Sequence, residues 1–235
     1  MKCLIIIPAY NEAANIEKVI NNIVQNYPQY DYVIINDGST DKTGEVCANA
    51  GYQVLNLPIN MGIGGAVQTG YRYAKKNYYD AAVQIDGDGQ HDVAYLEDML
   101  KLLETGEADV VIGSRFVQKE GFQSSQIRRV GIRFLSILAR ILTGVQIRDI
   151  TSGYRVVNRR FIEIYANDYP VDYPEPEAMI IAAVYGGIIK EYPVIMRERE
   201  NGTSSITFKK SIYYMIKVTL AMFVRRLSFG FRREK

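Results

Sequence analysis

The chain is sparing with the residues that make disulfide frameworks, histidine sites and membrane spans. Two cysteines, Cys3 and Cys47, occur in 235 residues, one heading an apolar strand and one in a helical stretch. That excludes a disulfide framework and fits a reducing cytosol. The single histidine, His91, is expected to be a hydrogen-bonding support rather than a ligand. No stretch reaches the ~18 apolar residues of a membrane-spanning helix. Met1-Lys2 runs directly into a strand, so no signal peptide is expected. Charge of one sign is also lacking: 28 Lys and Arg stand against 26 Asp and Glu, a net +2, which argues against a general nucleic-acid binder.

That balance is uneven. From Lys209 to Lys235 there are eight basic residues and one acid, Glu234, so this tail carries +7 and the rest −5. The length suits one substantial α/β domain with a full core. Cys3 to Ile7 is a continuous apolar run and reads as a buried strand, and Tyr32 to Ile35, Tyr52 to Leu55, Ala81 to Ile85 and Asp109 to Ile112 read as further strands. Helical periodicity separates them, as in Ile16, Val19, Ile20, Ile23 and Val24. Alternation at this spacing predicts βαβ units, right-handed crossovers and a mostly parallel, Rossmann-like sheet flanked by helices.

Ligands bind such sheets beyond the carboxyl ends of the strands. The turns Pro8 to Glu12 (PAYNE), Asn36 to Asp41 (NDGSTD) and Asp86 to Asp92 (DGDGQHD) are thereby predicted to meet on one edge. A nucleoside diphosphate would repel their carboxylates, and a hard cation bridging the two removes the conflict. Asp86 and Asp88 alternate on the same side of an extended turn, and Gln90 adds a neutral oxygen. Mg²⁺ or Mn²⁺ is the expected ion.

These motifs, with the glycine loop Asn60 to Ala66 and Thr151 to Arg155 (TSGYR), resemble the inverting, nucleotide-sugar-dependent glycosyltransferases of family 2, which have the GT-A fold. Within that family the similarity is to the polyprenyl-phosphate sugar transferases, of which dolichyl-phosphate mannosyltransferase is the familiar member. The resemblance spans about residues 1 to 208. It implies that Pro8, Ala9, Tyr10 and Glu12 cradle the base and ribose, that Asp37 holds the nucleoside, and that Asp86 lies near sugar and ribose. Asp88 and Gln90 take the metal side, Gly62 and Gly64 let the backbone approach the donor, and Arg115 is a phosphate contact. Arg199, in a loop with Gly202 and Ser204, is implied to close over the diphosphate. The family pattern usually continues with lysine after that serine, whereas this chain has Ser205, which leaves the sugar open.

On the acceptor side, Asp149 is the expected base if a hydroxyl attacks. A polyprenyl phosphate is already anionic; Asp149 would then orient its neighbours and Arg155 would hold the phosphate. Glu175 and Glu177 read as acids of a helix N-terminus, with acceptor support as the alternative. Gln126 to Thr143 reads as a basic amphipathic helix with Ile132, Leu135, Ile137, Leu138, Ile141 and Leu142 on one side, suited to a membrane surface or anionic head group. The tail from residue 209 reads as an in-plane amphipathic anchor following a catalytic domain of residues 1–208.

The expected activity is transfer of a hexose from a nucleotide-diphosphate sugar, with uridine favoured, to undecaprenyl or dolichyl phosphate. The expected location is peripheral, on the cytoplasmic face of a membrane, with a small membrane-protein partner or a homo-oligomer as further possibilities. Two alternatives stand beside it: transfer to a saccharide hydroxyl in surface or cell-wall polysaccharide assembly, and an idle nucleotide-binding scaffold.

Overall fold

In the computed structural model, residues 1–118, 120, 126–196 and 208–233 are described. The chain opens with β1 (Cys3–Ala9), α1 (Ile16–Asn26), β2 (Asp31–Asn36), α2 (Thr43–Asn49), β3 (Val54–Asn56), α3 (Gly62–Lys76) and β4 (Ala81–Gln84). A short 3-10 turn leads into α4 (Leu96–Glu104), followed by β5 (Val110–Ser114), α5 (Gln126–Thr143), β6 (Arg155–Asn158), α6 (Arg159–Asn167), α7 (Pro174–Val184), β7 (Ile189–Pro193) and α8 (Phe208–Arg233).

Among the described residues the strands form one sheet in the order β3-β2-β1-β4-β6-β5-β7. Four pairings are parallel, and β6 runs antiparallel to both β4 and β5. The sheet is therefore mostly parallel, as the sequence predicts, but β6 and β7 lacked a periodic signal strong enough to be read. Strand alternation divides the core. Leu4 and Ile6 of β1 join the layer formed with α3 and α5 to α8, whereas Cys3, Ile5 and Ile7 join the layer under α1 and α4. Each of these side chains is almost fully buried; for an aliphatic residue that burial contributes about 1.5–3 kcal/mol.

The tail helix α8 belongs to the first layer. Val218 and Met222 are fully buried in it, Tyr214 packs edge-on against Tyr173 at 5.3 Å, and Phe229 packs against Tyr185 at 5.1 Å. Arg225 clamps the helix to Asp168 at 2.8 Å and lies 3.9 Å from Glu177.

Candidate active site

Strand order makes the site. Because β2, β1 and β4 are adjacent and parallel, with Ala9 opposite Asn36 and Ile6 opposite Gln84, their carboxyl-end turns emerge side by side. Asn11 joins the first two. Its backbone takes a left-handed conformation, φ 56°, one that asparagine tolerates better than most residues. Its N–H donates to Ser39 Oγ at 3.0 Å, and its Oδ1 accepts from the backbones of Thr40 and Asp41 at 2.9 and 3.2 Å. Glu12 N donates to Thr43 Oγ1 at 2.9 Å. Asn11 was not singled out from the sequence; its place inside PAYNE was the available signal.

Asp37, 3 % exposed, ties the second turn to the entry of α3: its Oδ1 accepts from Met61 N at 2.7 Å. Gly38 makes that approach possible. It has φ +63°, and a Cβ there would lie 2.7 Å from Asn60 N. The turns enclose a cleft of about 360 Å³ lined by Pro8, Ala9, Tyr10, Glu12, Asp37, Gly62, Asp86 and Asp88, together with Asn60, Ile63 and Ala66.

The third turn is braced from behind. Asp86 N donates to His91 Nδ1 at 3.1 Å, which places the ring proton on Nε2, 3.8 Å from Asp86 Oδ2. The imidazole stacks on Tyr154, centroids 5.1 Å apart, and the Tyr154 hydroxyl donates to Asp92 O at 2.9 Å. His91 is thus a support for Asp86. Gln84 Nε2 donates to Asp86 Oδ1 at 3.2 Å, and Asp88 Oδ1 accepts from Gln90 N at 3.1 Å.

Several expected contacts are placed elsewhere. Gly64 faces inward, where a Cβ would come within 2.1 Å of Pro170 O, so its smallness serves helix packing. Gln90 is half-buried and does not line the cleft. Arg115, expected at a phosphate, is 7 % exposed and forms a two-pronged ion pair with Asp149, which is fully buried. Nε meets Oδ2 at 2.8 Å and Nη2 meets Oδ1 at 2.7 Å, while Arg115 N also donates to Oδ2 at 3.1 Å. Both oxygens of Asp149 are thereby committed, and it lines neither cavity described here. Arg155, expected at the acceptor phosphate, is 1 % exposed. It donates to Ile150 O at 3.1 Å and Pro174 O at 3.4 Å, bracing the start of α7. Its Nε has no hydrogen-bond partner among the described residues. Glu175 lies in the first turn of α7; burial raises its carboxyl above the usual range, Asp86 adds to that, and Arg155 and Arg128 oppose it. Arg199, Gly202, Ser204 and Ser205 lie outside the described residues.

A second cavity, of about 580 Å³, lies between α5 and the segments after β5 and before Asp149. Arg129, Arg133, Arg140 and Arg148 line it, along with Phe116, Ile132, Ile137 and Ile147. Phe116 and Arg148 adjoin Arg115 and Asp149 in the chain, so the buried ion pair stands at the cavity's wall. A few residues on, a Cβ at Gly153 would lie 3.3 Å from Asp86 Oδ2. The segment from Gln146 to Gly153 therefore runs from the arginine-lined cavity to Asp86 of the acidic cleft.

The donor set fits a hard cation. Asp86 and Asp88 both line the cleft, whereas Gln90, two residues on, does not. No group of three or more His, Cys, Asp or Glu residues suited to a metal occurs among the described residues, so a shared ion would need oxygen ligands from a phosphate.

Comparison with known proteins shows the family and the fold. The sequence pattern of glycosyl transferase family 2 matches residues 4–165. The chain is 29% identical over 227 residues to polyprenol monophosphomannose synthase of Mycolicibacterium smegmatis, covering 92% of this chain and 85% of that one. It is 31% identical over 216 residues to undecaprenyl-phosphate mannosyltransferase of Micrococcus luteus, covering 88% of each. Over 228 residues it is 32% identical to dolichyl-phosphate beta-glucosyltransferase ALG5A of Trichomonas vaginalis, covering 86% of this chain and 68% of that one. Among solved structures, glucosyl-3-phosphoglycerate synthase of Mycobacterium tuberculosis with Mn²⁺, UDP-glucose and phosphoglyceric acid superposes with TM-score 0.73 at 20% identity, covering 96% of this chain and 79% of that one. The fold is GT-A, and the chain is an enzyme of glycosyl transferase family 2.

Proposed function

We propose that the protein transfers a hexose from a nucleotide-diphosphate sugar to a polyprenyl phosphate, inverting the anomeric centre. The observation that carries this reading is an acidic cleft and an arginine-lined cavity joined by the short segment from Gln146 to Gly153. The cleft suits a donor. Asp37 and Glu12 offer carboxylates to nucleoside hydroxyls, and Tyr10, 46 % exposed, offers a ring to the base. Asp88, with Asp86 and Gln90 beside it, would hold Mg²⁺ or Mn²⁺. That ion, when bound, neutralises charge gathering on the departing diphosphate.

The cavity suits an anionic acceptor, because Arg129, Arg133, Arg140 and Arg148 converge on it and guanidinium recognises phosphate with paired hydrogen bonds. In the transfer, an acceptor phosphate oxygen forms a bond to the anomeric carbon from the face opposite the diphosphate. The old carbon–oxygen bond breaks, and its electron pair leaves with the diphosphate. No proton has to be removed from such an acceptor, which agrees with an Asp149 committed to Arg115. Asp149 then holds the 149–155 turn rather than acting as a base. Arg199 is retained in this proposal as the residue that closes over the diphosphate.

UDP-sugar is the favoured donor, supported by the UDP-glucose named with the superposed structure. The relatives' names divide between mannose and glucose, so the sugar is left as a hexose. The proposed place of work is the cytoplasmic face of a membrane, as a peripheral protein. No helix among the described residues is long and apolar enough to cross one. A donor screen with divalent metal tests the reading: nucleoside diphosphate release should rise on adding a short prenyl phosphate. Stimulation by a saccharide but not by a prenyl phosphate would favour the hydroxyl-acceptor alternative.

A further inference from the structure

A further cavity lies away from the acidic cleft. It is a groove of about 580 Å³ between α3 and α6, lined by Arg72, Lys75, Lys76, Tyr78, Arg159 and Asn167. Its size suits a small molecule. Residues 72, 75 and 76 share one face of α3, and residues 159, 163, 166 and 167 share one face of α6. Arg72 joins the two stripes, its Nε donating to Ala166 O at 3.1 Å. Lys75 and Lys76 close α3, ~20 Å along the helix axis from Gly62, which lines the donor cleft.

The fold does not use up the cations of this groove. Basic residues near a helix C-terminus commonly serve its free carbonyls, but in α3 other groups do so. Arg159 Nη1 donates to Lys75 O and Tyr79 O at 3.3 and 3.2 Å, and Asn77 Nδ2 donates to Tyr73 O at 2.9 Å. Glu163 holds Arg159 Nε at 2.8 Å. Among the described residues, no carboxylate pairs with Arg72, Lys75 or Lys76, and none of the residues lining the groove is acidic.

Tyr78 adds an independent observation. It is 80 % exposed, yet its backbone is left-handed at φ 58°, a conformation disfavoured for a bulky side chain. Burial does not account for it, and glycine would make the same turn without strain. Such strain persists where a site requires the side chain. Here tyrosine supplies a ring at the edge of the groove, with the Arg159 guanidinium 5.8 Å from its centroid.

Guanidinium and ammonium groups recognise phosphate, and an exposed aromatic ring stacks on a nucleobase. A nucleotide presents both partners. We infer that the α3–α6 groove is a second nucleotide-binding site, with the phosphates on Arg72, Lys75 and Lys76 and the base on Tyr78. It differs from the donor cleft in charge as well as place: the cleft is acidic and calls for a cation, whereas this groove meets phosphate oxygens directly. The inference does not depend on the proposed transfer.

Titration calorimetry of the full chain with ATP, in excess chelator and low salt, tests it, because the donor cleft then lacks an ion to offset a nucleotide's charge. ATP should bind at least ~10-fold more tightly than inorganic pyrophosphate. Lys75→Glu and Lys76→Glu should each weaken ATP binding about tenfold or more, whereas Asp88→Ala in the donor cleft should leave it unchanged. Tyr78→Gly should raise the thermal midpoint by releasing the left-handed strain, yet weaken ATP binding about tenfold. A tyrosine with only a structural role would not give that split. Equal affinity for pyrophosphate and ATP would overturn the nucleotide in favour of a bare anion. Full ATP binding by the lysine variants, loss of binding in Asp88→Ala, or no binding by the wild type would overturn the site.

Discussion

Arg115 and Asp149 meet edge to edge inside the protein, with Nε–Oδ2 at 2.8 Å and Nη2–Oδ1 at 2.7 Å, although 34 residues separate them. The pair joins the end of β5 to the 149–155 turn, between the two halves of the site. Asp149→Asn should leave a buried guanidinium without its counter-charge and destabilise the fold by about 3 kcal/mol, measured by urea unfolding. Transfer by the folded fraction to a prenyl phosphate should fall modestly. A loss of several orders of magnitude in kcat at unchanged stability would instead mark Asp149 as a base.

Asp88 borders the cleft, where its Oδ1 accepts from Gln90 N at 3.1 Å. Asp88→Ala should leave stability within about 0.5 kcal/mol of wild type, yet reduce transfer at least ~100-fold. Excess chelator should do the same to the wild type. Undiminished turnover in either experiment would remove the cation from the reaction.

Asn11 acts one step back from the donor, as the clasp between two turns. Asn11→Ala removes the two hydrogen bonds that Oδ1 accepts from the backbones of Thr40 and Asp41, and places a less suitable residue at φ 56°. Its two losses together should cost about 2 kcal/mol and raise the donor KM about tenfold with a smaller change in kcat. Asn11→Asp keeps the accepting oxygen and should recover most of the donor affinity.

Glu175 gives a pH dependence of defined sign. Burial raises its carboxyl, with Arg155 opposing and Asp86 adding to the rise, so the folded state holds the proton to higher pH than the unfolded chain. Its contribution to stability is full below the unfolded carboxylate value and is lost as pH rises through the folded one. Glu175→Gln should therefore be more stable than wild type at neutral pH, and the difference should shrink on acidification in thermal melts at a series of pH values.

The acidic half of the site was legible because its signals are local. Buried parallel strands read as unbroken apolar runs, and each run here ends in a polar turn, at Pro8, Asn36 and Asp86. The other half depends on pairings that leave no local trace. Arg155 reads in sequence as a contact for the acceptor phosphate, but its register opposite Gln84 in the antiparallel β4–β6 pair carries it inside. The Arg115–Asp149 pair exists because β5 and β6 are neighbours, which spacing alone does not reveal. In α8, Val218 and Met222 are as apolar as Leu220 and Val224; only packing against α7 decides which pair is hidden. Gly64 could be read as a donor contact because the need for a glycine is visible in sequence, whereas the atom that requires it, Pro170 O, is distant.

The most direct test of the assigned reaction is to incubate the full chain with UDP-hexose, Mn²⁺ and a short prenyl phosphate, then examine the lipid product by mass spectrometry and NMR. The account predicts a lipid bearing one hexose on its phosphate, with the anomeric configuration opposite to the donor's. A product with retained configuration, or nucleoside diphosphate release with the sugar found on water or a saccharide and none on the lipid, would contradict it.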